Sequence, residues 1–186
     1  TLGVTAAGAI TQGAGDIAAT GATTLTAGDN AITLTTGTND FSSVAVVSGD
    51  VVQVTDANGV ELGAIDLSGG TTGTLTVNAS GAVTDSGAVT ATTTAVTTSG
   101  DITLDAQGTN LSTYTLSGAN VALTSSGALA LGDTTATGTL GVTAAGAITQ
   151  GAGDIAATGA TTLTAGDNAI TLTTGTNDFS SVAVGS

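Results

Sequence analysis

Apart from one tyrosine, carboxylates are the only ionisable side chains in this sequence that could carry catalysis or bind a metal. The 186 residues include 14 Asp and Glu but no Lys, Arg, His or Cys. Catalytic triads of the Ser–His–Asp or Cys–His kind, phosphate-binding loops and zinc sites therefore lack residues that they require. Glu61 and Asp66 could in principle supply the acid and the base of polysaccharide cleavage. Because no Arg or aromatic platform is available to hold a sugar, we predict that both are solvated turn residues and that the protein is not an enzyme.

Calcium binding is the second chemistry that the carboxylates allow. Asp follows Gly at seven positions, where Gly would supply a positive φ for a turn and Asp would accept hydrogen bonds from nearby backbone N–H groups. At equivalent turns of stacked coils such carboxylates would lie close together, and Ca²⁺ takes six to eight oxygen ligands. The candidate ligands are Asp16, Asp29, Asp154 and Asp167. The Gly-Gly-x-Gly-x-Asp calcium nonapeptide is missing, so we expect no bound cofactor, with Ca²⁺ as the alternative.

Hydroxyl, amide and aromatic side chains offer further surface chemistries. Thr-x-Thr pairs with Leu or Tyr between the threonines begin at residues 24, 33, 74, 113, 162 and 171, a spacing too irregular for the regular array that ice binding requires. Asn78 and Asn110 begin glycosylation-type motifs, which are expected by chance in a chain so rich in Ser and Thr. Phe41 and Phe179 occupy one position of successive repeats and are predicted to pack at a corner of the coil. Tyr114 is the single candidate for an exposed aromatic residue that binds a glycan.

Charge and hydropathy exclude several classes of partner. The formal net charge is −14 and the isoelectric point is near 4.1. Nucleic acids and anionic membrane surfaces are bound through Lys and Arg, so we expect neither as a partner. The hydrophobic share of 40% and the mean hydropathy of +0.43 predict a folded chain rather than a disordered one. No apolar run approaches the ~20 residues of a membrane helix, and no signal peptide opens the sequence.

An exact internal repeat organises the chain. Residues 1–46 recur without a change as residues 139–184. The sequence therefore holds one full repeat, residues 1–138, which we call the long unit, and the start of the next, residues 139–186. We expect the two to form one continuous solenoid. We interpret the sequence as a window on a longer array, and a short protein with a recent duplication is the alternative.

Short alternating runs of β-branched and apolar residues predict strands. Examples are Thr24–Thr26, Asp50–Val54 and Gly100–Leu104, each bounded by turn-forming residues. The 29 Gly residues and the density of Thr and Val disfavour helix, and the lack of Pro suits strands that donate every N–H to a neighbour. In a parallel β-helix each turn of ~20–25 residues carries two or three short strands. We predict an all-β, parallel β-solenoid of about eight turns, with about six turns in each long unit.

Several segments resemble the repeats of filamentous-haemagglutinin-type adhesins. They are Gly8–Gln12, Thr24–Gly28, Asn39–Phe41 followed by Val44–Val46, Thr55–Asn58 and Gly81–Gly87. The resemblance covers essentially the whole chain. It implies a right-handed parallel β-helix in a very large surface or secreted protein of a Gram-negative bacterium, exported by two-partner secretion. Members of that family serve in adhesion and biofilm formation.

The resemblance implies an extracellular structural role at the bacterial cell surface. We predict a rigid shaft segment of a long surface fibre that serves adhesion or a biofilm matrix. Its partners would be neighbouring repeats of the same chain or identical chains. Two alternatives remain open: a sheath or matrix filament that polymerises end to end, and a lateral surface that binds a host or matrix glycan.

Overall fold

The computed structural model describes residues 1–106 and 110–185, and the backbone alone at residues 110–112. Every regular element in these ranges is a β-strand. No helix in the described ranges is long and apolar enough to cross a membrane. The twenty strands are β1 (Leu2–Thr5), β2 (Ile10–Thr11), β3 (Ala18–Thr26), β4 (Ile32–Leu34), β5 (Asp40–Ser48), β6 (Val51–Asp56), β7 (Val60–Asp66), β8 (Thr74–Ala79), β9 (Val83–Asp85), β10 (Val89–Thr98), β11 (Ile102–Leu104), β12 (Asn110–Gly118), β13 (Val121–Ser125), β14 (Leu129–Leu131), β15 (Asp133–Ala136), β16 (Leu140–Ala144), β17 (Ile148–Gln150), β18 (Ile155–Thr164), β19 (Ile170–Thr171) and β20 (Asp178–Gly185).

The strands stack in series of parallel pairs. The first series runs β1–β3–β5–β7–β9–β11–β13–β16–β18–β20. The second runs β2–β4–β6–β8–β10–β12–β15–β18–β20, so the long strands β18 and β20 belong to both. A short third series joins β14, β17 and β19. Because each strand pairs in parallel with one that lies a turn away in sequence, the chain coils into a parallel β-solenoid, which confirms the predicted fold class and its scale of about eight turns.

Each turn has three sides, as the last part of the chain shows. Strand β16, strand β17 and the first residues of β18 follow one another in sequence and pair with three different preceding strands, β13, β14 and β15. The long strands β3, β5, β10 and β18 bend from one side to the next. Two of them have a register shift at the bend, between Ala19 and Ala22 in β3 and between Ala157 and Ala160 in β18.

The long unit contains more than six turns but fewer than seven. Along the second series, seven successive strand pairings lead from β2, which contains Ile10, to β18, which contains Ile155. Each pairing is one turn of the coil, so Ile155 lies on the same side as Ile10, seven turns further along. Ile155 corresponds to Ile17 of the first unit, which lies one side beyond Ile10. One unit is therefore one side short of seven turns, rather than the six turns predicted, because the loops between strands are tighter than assumed. At ~4.8 Å between paired strands, one unit advances the solenoid by roughly 32 Å.

The core consists of inward-facing rows of side chains, in which like residues stack from turn to turn. We call each such row a file. One file runs through Val60, Val83, Ile102, Val121 and Leu140, all of which are buried. A second runs through Leu34, Val54, Val77, Val96 and Leu116. Burial of each such side chain contributes about 1.5–3 kcal/mol, so the interior of the coil supplies the main favourable free energy of folding.

Three of the buried threonines that interrupt such apolar files have no hydrogen-bond partner for their side chains. Thr23, Thr94 and Thr161 are at most 1% exposed, and their hydroxyl groups make no hydrogen bond. Thr23 and Thr161 are the same position of successive units. A buried hydroxyl group without a partner costs about 1–3 kcal/mol, so these positions reduce the stability of the solenoid.

Candidate functional site

Glu61 and Asp66, the carboxylates considered for catalysis, lie on the same strand, β7, and are both exposed. Each is engaged by a different serine. Glu61 accepts a hydrogen bond of 2.7 Å from the hydroxyl group of Ser86, one turn away. Asp66 accepts hydrogen bonds from the hydroxyl and backbone N–H groups of Ser68, at 2.6 and 3.0 Å, and these bonds lower the pKa of its carboxyl group. Both carboxylates therefore act as local hydrogen-bond acceptors on the outside of a strand.

The calcium candidates are separate surface residues rather than a cluster. Asp16 accepts a hydrogen bond from the Thr38 hydroxyl group, and the same bond recurs in the next unit between Asp154 and Thr176. Asp29 and Asp167 are exposed. Among residues 1–106 and 110–185, no three acidic side chains are grouped closely enough to hold a metal ion. The carboxylates of Asp16 and Asp154 thus each accept a hydrogen bond from a threonine hydroxyl group on the following turn.

A pair of side-chain amides forms a highly connected polar site. Gln12 Nε2 donates to Asn39 Oδ1 at 2.5 Å, and Asn39 Nδ2 donates back to Gln12 Oε1 at 2.9 Å. Asn39 Oδ1 also accepts from the Ile17 N–H, and Gln12 Oε1 accepts from the Thr36 N–H. Gln12 Nε2 completes the site with a bond to the Gly15 carbonyl group. Asn39 is fully buried, and this amide pair fastens one turn of the coil to the next.

The amide pair recurs in the second unit with nearly the same geometry. Gln150 Nε2 donates to Asn177 Oδ1 at 2.7 Å, and Asn177 Nδ2 donates to Gln150 Oε1 at 2.9 Å. Asn177 Oδ1 again accepts from a backbone N–H, here that of Ile155. Sequence reasoning missed these residues because two polar amides so far apart in the chain show no local pattern. The recurrence of Gln12 and Asn39 as Gln150 and Asn177 was the one sequence signal that could have identified them.

Asp50 and Asp56 each accept hydrogen bonds from two backbone N–H groups. Asp50 accepts from the Thr72 and Gly73 N–H groups, at 2.6 and 2.8 Å, and from two threonine hydroxyl groups. The bond from Gly73, followed by that from Thr72, lowers the pKa of the Asp50 carboxyl group. Asp56 is only 1% exposed and accepts from the Phe41 N–H at 2.7 Å and the Asn58 N–H at 2.8 Å. These carboxylates accept hydrogen bonds from backbone N–H groups at the corners of the coil, as a capping side chain does at the end of a helix.

One corner of the coil is a polar stack that continues over three turns. Asp101 Oδ1 accepts from the backbone N–H and the side-chain amide of Asn120, at 3.0 and 2.8 Å. Asn120 Oδ1 accepts in turn from the backbone N–H and the hydroxyl group of Thr139, each at 2.9 Å. Asp, Asn and Thr therefore bond three successive turns to one another at equivalent positions.

Glycine lines the same corner, immediately before the residues of this stack, because consecutive turns approach there too closely for a side chain. A Cβ atom would lie 2.7 Å from the Gly59 nitrogen at Gly81, 2.6 Å from the Ala82 nitrogen at Gly100, and 2.7 Å from the Gly138 carbonyl carbon at Gly159.

The glycines of the seven Gly-Asp pairs do not share one conformation. Positive φ was the reason expected for all of them, but among the described residues only three have it, namely Gly28, Gly153 and Gly166. At Gly100 and Gly132, close approach of another turn's backbone is the reason for glycine. The sequence pattern therefore marks turns correctly without showing which physical constraint acts at each.

The structure places Tyr114 in the core rather than on the surface. Its side chain is 1% exposed and stacks in register on Thr94, so the interpretation of Tyr114 as a glycan-binding aromatic was wrong. Burial raises the pKa of its hydroxyl group, and a weak interaction with the Gly132 backbone only partly offsets this. No hydrogen bond of good geometry satisfies that hydroxyl group. Phe41 is 1% exposed, whereas its counterpart Phe179 is partly buried.

The outward threonines are more regular in space than in sequence. Thr74, Thr93 and Thr113 stack in register on three consecutive turns, although their spacing in the sequence is unequal. The variable turn length hides this order in the sequence. The neighbouring file places Ala95 between Thr76 and Thr115, so the threonine array is interrupted.

The two glycosylation-type motifs begin on strands β8 and β12 of the second series, which are separated by β10. Asn78 is exposed on β8. Asn110 begins β12, and its side chain is outside the described part of the structure.

The stacked parallel turns, their apolar files and their cross-turn polar bonds define a β-solenoid repeat protein. The chain belongs to the family described as "Repeats of unknown function (DUF5649)", whose model matches residues 1–48, 48–117 and 118–185. No curated protein and no solved structure matches the chain. The second and third matches together are as long as the long unit. The length of one long unit therefore equals two successive matches to the family model, each between three and four turns long.

Proposed function

We propose that this chain is a structural segment of a long extracellular bacterial fibre, in which it forms a rigid shaft. The observation that carries the proposal is the unbroken stacking from one long unit into the next. Strands β16 and β18 of the second unit stack on β13 and β15 of the first. Strand β18 is the counterpart of β3 and has the same burial pattern at most positions. A unit that continues the stack of the unit before it can be repeated without limit along one axis.

The length of the unit also distributes its surface around the shaft. Because one unit is one side short of seven turns, each unit begins one side away from the start of the unit before it. Three successive units therefore present a given residue on all three sides. This arrangement suits a shaft that has the same properties on every side.

The cross-turn polar bonds support stiffness. The amide pair of Gln12 and Asn39, the Asp50 site and the stack that begins at Asp101 each tie one turn to another. Sliding or bending of one turn against the next would break several of these bonds together. The charge of −14 adds mutual repulsion between the sides of neighbouring fibres, which favours separate shafts.

The role at the cell surface rests on the resemblance to filamentous-haemagglutinin-type adhesins. On this proposal the shaft projects an adhesive region or builds a biofilm matrix, its partners are adjoining repeats, and it has no catalytic activity and no resident cofactor. The lack of His, Cys, Lys and Arg supports the non-enzymatic part. A glycan-binding lateral face loses its only aromatic candidate with the burial of Tyr114.

Recombinant arrays of two, four and eight long units provide the test. The contour length in electron micrographs should rise by roughly 32 Å per unit, and the rods should stay straight. Coiled or globular particles would contradict a rigid shaft. Cryo-electron microscopy of native fibres then separates the covalent shaft, which has density continuous across every unit, from the end-to-end polymer, which has regular breaks. Antibodies to residues 47–67 should label intact cells if the fibre is extracellular.

A further inference from the structure

The loop between β6 and β7 contains Asn58, the one asparagine in the sequence that is followed by glycine. Asn58 is exposed. Its side-chain Nδ2 donates to Asp40 Oδ1 at 3.3 Å, which is beyond the usual range of an N–H···O hydrogen bond and therefore holds the side chain weakly. The side-chain amide of Asn39, by contrast, is buried and closely bonded to Gln12. Asn58 is thus an accessible amide next to a residue that has no side chain.

The fold requires the glycine at residue 59. A Cβ atom there would lie 2.5 Å from the Ala82 carbonyl oxygen and 3.0 Å from the Ala82 nitrogen, both of which are backbone atoms of the next turn. Gly59 does not have a positive φ, so close approach is the constraint. Without a Cβ atom at residue 59, the backbone nitrogen of Gly59 is open to the Asn58 side chain. The close packing of the turns therefore fixes in the chain a pair of residues that can react with each other.

The next turn also activates the peptide group between these two residues. The carbonyl oxygen of Asn58 accepts hydrogen bonds from the Gly81 N–H at 2.7 Å and from the Ser80 N–H at 3.1 Å. Two donors on this oxygen stabilise the anionic form that the peptide group takes when its nitrogen loses the proton. That nitrogen belongs to Gly59, so the contact between turns makes it a better nucleophile.

We propose that Asn58 is a site of spontaneous modification in the folded chain, where it becomes aspartate or isoaspartate. The Gly59 nitrogen forms a bond to Cγ of Asn58, the bond from Cγ to Nδ2 breaks, and the proton of the Gly59 N–H leaves with Nδ2 as ammonia. The product is a succinimide ring, which water then opens. Cleavage between Cγ and the ring nitrogen yields aspartate. Cleavage between the main-chain carbonyl carbon and the nitrogen yields isoaspartate, in which the chain continues through the former side chain.

Both products disturb the corner at which they form. Aspartate replaces the Nδ2 donor by a carboxylate that faces Asp40 and lies two residues from Asp56, whose Oδ1 accepts the backbone N–H of residue 58 at 2.8 Å. Isoaspartate lengthens the main chain by one atom at a corner without spare room, since a Cβ atom at Gly81 would lie 2.7 Å from the Gly59 nitrogen. The hydrogen bonds to the carbonyl group of residue 58 are then weakened. The modification therefore loosens this loop from the next turn.

The test incubates the folded 186-residue chain in mildly alkaline buffer made with water labelled with heavy oxygen. Mass spectrometry of peptic peptides should show labelled acid at residue 58, formed at least about tenfold faster than at Asn78. Asn78 is the internal control, because it is also exposed but is followed by Ala79. Equal rates at the two residues would overturn the proposal. Conversion of Asn58 in the urea-unfolded chain but not in the folded chain would also overturn it, because the fold would then protect the residue.

Asn58→Gln is the matched variant, since it keeps an amide at the same position but requires a larger and less favourable ring. It should stay unmodified under the same conditions, and conversion at the rate of the parent chain would contradict attack by the Gly59 nitrogen.

Hydrogen–deuterium exchange measures the loosening of the corner. Exchange in residues 80–83 should be about tenfold faster in the converted chain than in the fresh chain, with residues 121–125 unchanged as the reference. Equal exchange in residues 80–83 before and after conversion would refute the structural consequence. None of these outcomes bears on the array lengths that test the shaft.

Discussion

Replacement of Gly132 by alanine is the sharpest test of how closely the turns approach. Gly132 lies between β14 and β15, where the chain crosses the backbone of Tyr114. A Cβ atom at this position would lie 2.0 Å from the Tyr114 carbonyl oxygen and 3.0 Å from its carbonyl carbon. Gly132 does not have a positive φ, so the effect of the substitution arises from contact alone. Because both partners are backbone atoms, no change of rotamer can relieve the clash.

The expected cost follows from the displacement that the methyl group requires. Ordinary contacts of a Cβ atom begin at 3.4 Å, so the two turns would have to separate locally. That shift breaks two or three ladder hydrogen bonds, at about 1 kcal/mol each, and adds about 1–3 kcal/mol of packing strain. We therefore expect Gly132→Ala to lower the free energy of unfolding by roughly 3–5 kcal/mol.

Urea unfolding followed by far-UV circular dichroism measures this free energy, and hydrogen exchange in residues 113–136 detects local opening, to which stacked repeats are prone. Gly141→Ala is the matched control, because Gly141 lies in strand β16 with nothing within 4 Å of its Cβ position. It should be neutral or stabilising by about 0.4–1 kcal/mol. A Gly132→Ala variant within about 0.5 kcal/mol of the parent, or equal losses for both variants, would refute the reasoning from close approach.

Three further predictions concern polar and aromatic positions. Asn39→Ala should lower the free energy of unfolding by about 2–4 kcal/mol, because it leaves buried polar groups without partners, and a double-mutant cycle with Gln12→Ala should show coupling. The lowered pKa of the Asp50 carboxyl group stabilises the fold above its ordinary pKa, so the urea midpoint should fall as the pH drops through the lowered value, and Asp50→Asn should weaken this dependence. Phe41→Ala should cost about 3–5 kcal/mol and Phe179→Ala clearly less, since Phe179 is only partly buried; equal losses in urea unfolding would contradict this.

The composition and the local patterns were sufficient to predict the solenoid but not its contacts. Alternation such as Thr24-Leu25-Thr26 predicted a strand, and because strand geometry imposes a period of two, Leu25 faces inward and Thr24 outward. The burial of Tyr114 was not predicted. The period of two places Tyr114, which lies between two outward threonines, on the inward side of its strand.

The sequence by itself determined that the chain is all-β, that it contains an exact long repeat and that parallel stacking is the way to pair its many short strands. The β-branched residues, the frequent turns and the lack of Pro all favour such strands over helices. Only the tertiary structure decided which residues meet. Turn length varies along the coil, so no fixed period links Gln12 to Asn39 or Asp101 to Asn120. These partners are set by the register between turns, which depends on backbone hydrogen bonds and apolar stacking along the whole coil.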